Sequence, residues 1–178
     1  IVQLNQTLII GDGEVALEVT QIIDQDTIKV RMLNNGVLQY MRPINIRSDQ
    51  DIGEIAEKYI GIINKVKDLD VRFVSIPYIE KSINEIIKSK LGKPLNKIRK
   101  LKKIIKIGSI GSLKDIDSIL SDPFYDMVIF NRGLAGVNFP YERVGLMQKE
   151  IVKKAKKQKK SIIIFTDILE STMKNFIP

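Results

Sequence analysis

The chain has 178 residues, of which 44% are hydrophobic and 28% are charged, a balance that predicts a folded globular protein and excludes a disordered tail. It contains neither His nor Cys, which excludes disulfides, thiolate metal sites and Ser-His-Asp hydrolysis. Phosphoryl transfer stays open, because that chemistry depends on positioning and charge neutralisation. A net charge of +8 favours anionic partners, and no stretch approaches the roughly 20 apolar residues that a membrane helix needs.

The first part of the chain has the pattern of a small β unit. Three strands and two turns are predicted, at Thr7–Ile10, Glu14–Gln21 and Thr27–Met32, and at Gly11-Asp12-Gly13 and Asn34-Asn35-Gly36. Pro43 ends this pattern, and Ser48 is a candidate N-cap for a helix whose apolar residues recur at helical spacing from Ile52. We therefore predict a domain boundary between residues 45 and 46.

Strand-like and helix-like runs alternate through the rest of the chain. The predicted strands are Val71–Ile76, Lys103–Ile107, Met127–Phe130 and Ser161–Thr166, and the predicted helices are Ser82–Leu91, Leu113–Leu120 and Tyr141–Lys157. A further helix is expected after Asp167. Short apolar strands in such an alternation indicate parallel βα units buried on both faces. The pattern fits either an open doubly wound sheet or part of a (β/α)₈ barrel.

Four motifs, in order along the chain, carry a resemblance to a known family. They are Lys106-Ile107-Gly108-Ser109, Asn131-Arg132-Gly133-Leu134-Ala135-Gly136 with Val137 and Pro140, Leu146-Met147-Gln148-Lys149, and Thr166-Asp167-Ile168-Leu169-Glu170-Ser171. They resemble the Lys-Ile-Glu-Asn, Ala-Arg-Gly-Asp-Leu-Gly, Leu-Ala-Gln-Lys and Thr-Gln-Met-Leu-Glu-Ser motifs of pyruvate kinase. The two N-terminal turns also resemble turns of the mobile β cap that this family inserts after its third barrel strand.

The resemblance implies a fold and a domain organisation. Residues 1–45 correspond to the later part of the inserted β cap, and residues 46–178 to part of a (β/α)₈ TIM barrel, strands four to seven with their helices. Because a half barrel leaves open sheet edges, and because the sequence starts at Ile1, we expect this to be an internal segment of a longer polypeptide.

The resemblance also implies a reaction and its residues. Pyruvate kinases transfer the phosphoryl group of phosphoenolpyruvate to ADP with Mg²⁺ and K⁺, and then protonate the enolate. By analogy Lys106 neutralises charge on the migrating group, and backbone N–H groups of the Arg132-Gly133 loop receive the substrate carboxylate. Thr166 lies near the enolate carbon. Without the family, Lys106 is a polar strand end and Arg132-Gly133 an ordinary strand-to-helix turn.

The metal-ligand positions depart from the family pattern. Gly108 stands where the motif has Glu, and Leu134 where it has Asp, so neither position offers the side-chain oxygen that Mg²⁺ requires. Asp167 offers a carboxylate nearby, but side chains alternate across a strand end, so it is expected to point away if Thr166 faces the site. We therefore predict no metal ligands and loss of Mg²⁺ binding.

Three hypotheses about function follow. The first is a catalytically inactive pyruvate kinase paralogue, cytoplasmic, that serves as a structural or regulatory subunit in a homo- or hetero-oligomer with an active copy and retains phosphoenolpyruvate or nucleotide binding at most. The second is an authentic divergent glycolytic enzyme. The third is an interaction protein whose lysine-rich helix, from Lys149 to Lys160, binds acidic partners. A solvated helix face explains these lysines equally well, and without interleaved aromatic residues they do not predict nucleic-acid binding.

Overall fold

A computed structural model of the chain describes residues 2–11, 13–38, 40–42, 44–46, 52–65, 69–78, 80–96, 98, 100–166, 168, 169 and 172. The chain divides into two compact units, Ile1–Gln50 and Asp51–Pro178. The boundary predicted from the sequence, between residues 45 and 46, falls inside a short strand of the first unit. The assignment of the units to cap and barrel stays a prediction.

The first unit is a four-stranded antiparallel sheet. Its strands are β1 (Thr7–Ile10), β2 (Val15–Ile22), β3 (Ile28–Met32) and β4 (Ile44–Ile46), in the order β3-β2-β1-β4. β1 to β3 confirm the three predicted strands, whereas β4 was not predicted, because three residues after a proline show no alternation that a pattern detects. The register of β2 and β3 shifts between Val19 and Gln21, as at a β-bulge.

Alternation along the strands builds the core of this unit. The buried residues are Leu8, Ile10, Val15, Leu17 and Val19, which leaves the intervening side chains of β2 on the opposite face. The Asn34 side chain ties the segment after β3 to the start of β2, since its Oδ1 accepts from the Ala16 N–H at 2.7 Å and its Nδ2 donates to the Glu14 carbonyl. A Cβ at Gly36 would lie 2.6 Å from that carbonyl oxygen, so the close approach requires glycine.

The second unit is a parallel sheet whose strands alternate with helices. The strands are β5 (Phe73–Pro77), β6 (Lys102–Ile107), β7 (Met127–Asn131) and β8 (Ser161–Phe165), in the order β5-β6-β7-β8. The helices are α1 (Ile52–Asn64), α2 (Lys81–Asn96), α3 (Ile110–Lys114), α4 (Ile116–Ser121), α5 (Arg132–Asn138) and α6 (Tyr141–Lys157). Sequential parallel pairing of all four strands confirms the α/β class and is consistent with part of a β/α barrel.

The core of the second unit lies between this sheet and its helices. Ile105 and Ile107 of β6 and Val128 and Phe130 of β7 are fully buried there, against helix residues such as Ile87. Because side chains alternate along a strand, Lys106 lies on the other face of the sheet from its two isoleucine neighbours. That alternation brings a lysine to the face away from the helices.

Two local features differ from the sequence-based prediction. The single helix predicted over Leu113–Leu120 is two short helices, since Asp115 ends α3 with φ −95° and ψ 11°. α3 starts at Ile110 because the Ser109 side chain accepts from the Ser112 N–H and caps it. The Arg132-Gly133 turn is itself the first turn of a helix, α5. Ser48, Asp167 and Glu170 lie outside the described residues.

None of the helices within the described part of the chain is long and apolar enough to cross a membrane.

Candidate functional site

The candidate site lies at the carboxyl ends of the four parallel strands, where the loops of β/α folds place their functional groups. Gly108 follows β6, Asn131 ends β7 and leads directly into α5, and Thr166 follows β8. Because neighbouring strands are paired in register, these three positions meet at one edge of the sheet.

Lys106 is the next-to-last residue of β6 and lies opposite Pro77 of β5 and Ile129 of β7. Its side chain is half-buried, and no described carboxylate forms an ion pair with it. Its carbonyl accepts from the Tyr78 N–H, which extends the strand pairing by one residue. An ammonium group without a described partner is therefore available at the edge where the sequence places it.

Gly108 and Leu134 are in contact, which the sequence did not indicate. Gly108 has φ +156°, a conformation that side chains strongly disfavour, and a Cβ built there would lie 3.2 Å from Leu134 Cβ and 2.7 Å from the Asn131 carbonyl oxygen. The Gly108 N–H donates to Ser112 Oγ at 2.9 Å. Leu134 therefore occupies the space beside Gly108, and neither position contributes a side-chain oxygen.

Hydrogen bonds within the chain occupy the N–H groups at the start of α5. The Gly133 N–H donates to Thr166 Oγ1 at 2.8 Å, and the Leu134 N–H donates to Asn131 Oδ1 at 3.0 Å. The Thr166 hydroxyl donates in turn to the same Asn131 oxygen at 3.2 Å. Asn131 is thus the N-cap of α5, and its side chain joins the ends of β7 and β8.

Thr166 holds this position in a strained backbone conformation. Its φ is +63°, in the left-handed region that β-branched residues rarely adopt. The two hydrogen bonds of its hydroxyl offset that strain. The structure thus brings Thr166 and Gly133 together, as the sequence predicts for one site.

The comparison with known proteins agrees with this geometry. The family profile described as pyruvate kinase, barrel domain, matches residues 1–178. The chain belongs to the pyruvate kinase family. The pyruvate kinase of Thermotoga maritima is 30% identical over 180 residues, which cover 99% of this chain and 37% of that protein. The enzymes named pyruvate kinase from Debaryomyces hansenii and Bacillus licheniformis are 28% and 30% identical, over 98% of this chain and 34% and 30% of their own lengths.

This segment of the pyruvate kinase family therefore spans about a third of the length of the relatives it matches. Its family membership confirms the resemblance stated from the four motifs. The family uses Mg²⁺ and K⁺. Among the described residues no group of three or more acidic side chains is placed to hold a metal ion.

Arg132 contacts a second pyruvate kinase motif instead of solvent. One of its terminal nitrogens donates to Gln148 Oε1 on α6 at 2.7 Å, while its Nε is buried with no described partner. The Arg-Gly motif and the Leu-Met-Gln-Lys motif are therefore linked by a side-chain hydrogen bond. This bond fixes α5 against α6 and directs the guanidinium towards a helix.

The sequence-based analysis missed Asn131 and Gln148 as parts of the site. A signal for Asn131 was present, since asparagine at a strand end directly before a helix is a favoured N-cap, and this position carries Ala in the family motif. For Gln148 no local signal existed, because its partner lies sixteen residues away along the chain.

Proposed function

We propose that this chain belongs to a pyruvate kinase-family protein that does not transfer the phosphoryl group of phosphoenolpyruvate to ADP and acts as a structural or regulatory subunit. The contact between Leu134 and Gly108 carries the proposal. It places an apolar side chain and a bare backbone at the two positions where the family motifs hold Mg²⁺. Because Mg²⁺ needs hard oxygen ligands in near-octahedral geometry, these residues do not fit it.

The hydrogen bonding at α5 supports the same proposal. Substrate carboxylate binding requires N–H groups that point at the ligand, and here the Gly133 and Leu134 N–H groups donate to Thr166 and Asn131. A bound carboxylate would have to displace both side-chain acceptors. Lys106 alone supplies charge, and one ammonium group does not orient a phosphoryl group for transfer.

The test is a coupled assay of the full-length protein with phosphoenolpyruvate, ADP, Mg²⁺ and K⁺. The proposal expects no turnover above the background of a Lys106→Met variant prepared in the same way. Turnover at the level usual for pyruvate kinases would overturn it and favour an authentic enzyme with ligands from other segments.

A second experiment tests the assignment of position 134. Leu134→Asp introduces a carboxylate where the family motif has one, and the site should then bind Mg²⁺ or Mn²⁺ more tightly than the unmodified protein, measured by calorimetry. Leu146→Asp is the matched control, since Leu146 is 64% exposed on α6. Equal affinity in the two variants would contradict the assignment.

A subunit role needs a contact surface, and α6 offers one. Tyr141 and Leu146 are exposed on this helix, at 63% and 64%. Exposed large apolar side chains on a helix that packs by its other face suit a subunit contact. Sedimentation of the full-length protein, alone and mixed with an active pyruvate kinase, tests the proposed assembly. A monomer that ignores the active copy would argue against it.

A specific observation also favours the third hypothesis, an interaction with acidic partners. Five exposed lysines on α6 and the residues after it have no described carboxylate partner: Lys149, Lys153, Lys156, Lys157 and Lys159. In contrast, Lys154 pairs with Asp117, and Lys160 donates to two backbone carbonyls. Changing Lys153, Lys156 and Lys157 to Glu should abolish binding of an acidic polypeptide such as polyglutamate, and undiminished binding would remove this hypothesis.

A further inference from the structure

A second cavity, of about 320 Å³, lies in the helix layer of the second unit, between α2 and α4. Lys106, Gly133 and Thr166 do not line it, so it is separate from the strand-end site. Its walls combine polar side chains with apolar surface from Tyr78 and Ile119. This volume is at the lower end of the range of about 300–1,000 Å³ that is usual for small-molecule sites.

A buried amide in the wall of this cavity lacks a hydrogen-bond partner. Asn84 is only 3% exposed; its Nδ2 donates to the Tyr125 hydroxyl at 3.1 Å, and its Oδ1 has no described partner. Exchanging the amide oxygen and nitrogen would leave the nitrogen unpaired instead. A buried polar atom without a partner costs about 1–3 kcal/mol, which a ligand that hydrogen-bonds to it would recover.

The charges around the cavity balance. Lys81 and Lys88 line it together with Glu85 and Asp122, two charges of each sign. The Lys88 ammonium is already neutralised, since it lies 2.8 Å from Glu85 Oε1 and 2.7 Å from Asp122 Oδ2. A charged ligand gains little from such a lining and loses its hydration, so the cavity favours an uncharged one.

The remaining polar groups offer mainly acceptors. The Ser118 hydroxyl donates to the Asp115 carbonyl and the Ser121 hydroxyl donates to the Ser118 carbonyl, so both oxygens keep lone pairs for a ligand. Asn84 Oδ1 is a further acceptor. The Tyr125 hydroxyl accepts from Asn84 and keeps its own proton to donate. A ligand with several O–H donors and some acceptors matches this inventory.

We propose that this cavity binds a small uncharged polyhydroxylated molecule of the size of a monosaccharide or sugar alcohol. Its hydroxyls hydrogen-bond to Asn84 Oδ1 and the serine oxygens and accept from Tyr125. Its C–H surface packs against the rings of Tyr78 and Tyr125. The proposal rests on the cavity alone and does not depend on whether the strand-end site is active.

The test measures binding of D-glucose and of D-sorbitol, each added alone to the full-length protein, by calorimetry or by NMR shifts of α2 and α4 residues. Inorganic phosphate and glycine serve as charged and zwitterionic comparison probes. We expect saturable binding of at least one of the two polyhydroxylated probes and none of phosphate or glycine. Binding of phosphate or glycine alone, or of no probe up to millimolar concentrations, would overturn the proposal.

Variants locate the binding in the cavity. Asn84→Leu removes the unpaired amide while keeping its approximate shape, and should weaken polyol binding about tenfold or more. Asn96→Leu, the same change at an exposed position of the same helix, should leave the affinity unchanged. Tyr125→Phe keeps the ring, removes the hydroxyl and provides the same test if Asn84→Leu does not fold. Undiminished affinity in the folded cavity variants would refute the site.

Discussion

Replacing Gly108 by Ala should destabilise the protein far more than the loss of a glycine usually does. An alanine must adopt φ +156° or force the backbone to move, which costs about 1–3 kcal/mol. Its Cβ would also lie 2.7 Å from the Asn131 carbonyl oxygen, and relieving that contact through bond angles adds about 1 kcal/mol. We expect a total loss of about 2–4 kcal/mol in the free energy of unfolding.

The matched control is Gly145→Ala on α6. A Cβ at Gly145 has no heavy atom within 4 Å beyond its immediate surroundings, and the residue is exposed in a helix, where alanine is favoured over glycine by about 1 kcal/mol. The two variants therefore differ in sign as well as in size, although the chemical change is the same.

Urea unfolding followed by circular dichroism measures both changes, provided that the slopes with denaturant agree. Adding Leu134→Ala to Gly108→Ala should recover only part of the loss, because it removes the Leu134 contacts but not the one with the Asn131 carbonyl. If Gly108→Ala and Gly145→Ala agree within about 0.5 kcal/mol, the close contact at Gly108 does not exist and the reasoning is refuted.

Three further predictions concern single side chains. Thr166→Val should cost about 1–3 kcal/mol because it leaves the Gly133 N–H without its acceptor, whereas Thr166→Ser should cost less; equal urea midpoints would contradict this. Burial raises the pKa of Tyr125 to about 12, so its contribution to stability is complete below pH 10 and is lost as the pH rises towards 12; Tyr125→Phe should flatten that decline in pH-dependent unfolding, and an unchanged slope would count against it. Burial opposes ionisation of Asp126, but the Lys103 N–H and neighbouring lysines lower its pKa below 3.8 overall, so its contribution is present above that pH and lost below it; Asp126→Asn should reduce acid sensitivity, and unaltered acid unfolding would refute the assignment.

Much of the fold could be predicted from the sequence, because its signals are local. Apolar runs such as Lys103–Ile107 mark strands buried on both faces, and the stripe that includes Val144 and Ile151 defines α6 from Tyr141 to Lys157, as the structure confirms. α5 was missed because its seven residues, with two glycines, carry no apolar stripe. Asp115 divides the predicted helix Leu113–Leu120 through its own dihedral angles, which spacing does not report.

The candidate site was predictable in its residues but not in its contacts. The motifs identified Lys106, Gly108 and Leu134, yet only the structure shows that Leu134 packs on Gly108. The same holds for Asn131, whose side chain connects two strand ends that are 35 residues apart in sequence. Such contacts depend on how strands are brought side by side, which residue spacing along one strand does not encode.

The capping of α5 by Asn131 has a consequence for how this protein responds to metabolites. A ligand stabilises a fold only when it binds the native state, and a loop that supplies its own acceptors gains little from an added carboxylate. Folding of the strand-end region should therefore be independent of phosphoenolpyruvate concentration. A scaffold of this kind would keep the same shape and the same abundance in starved and in fed cells, as a constant partner in an assembly must.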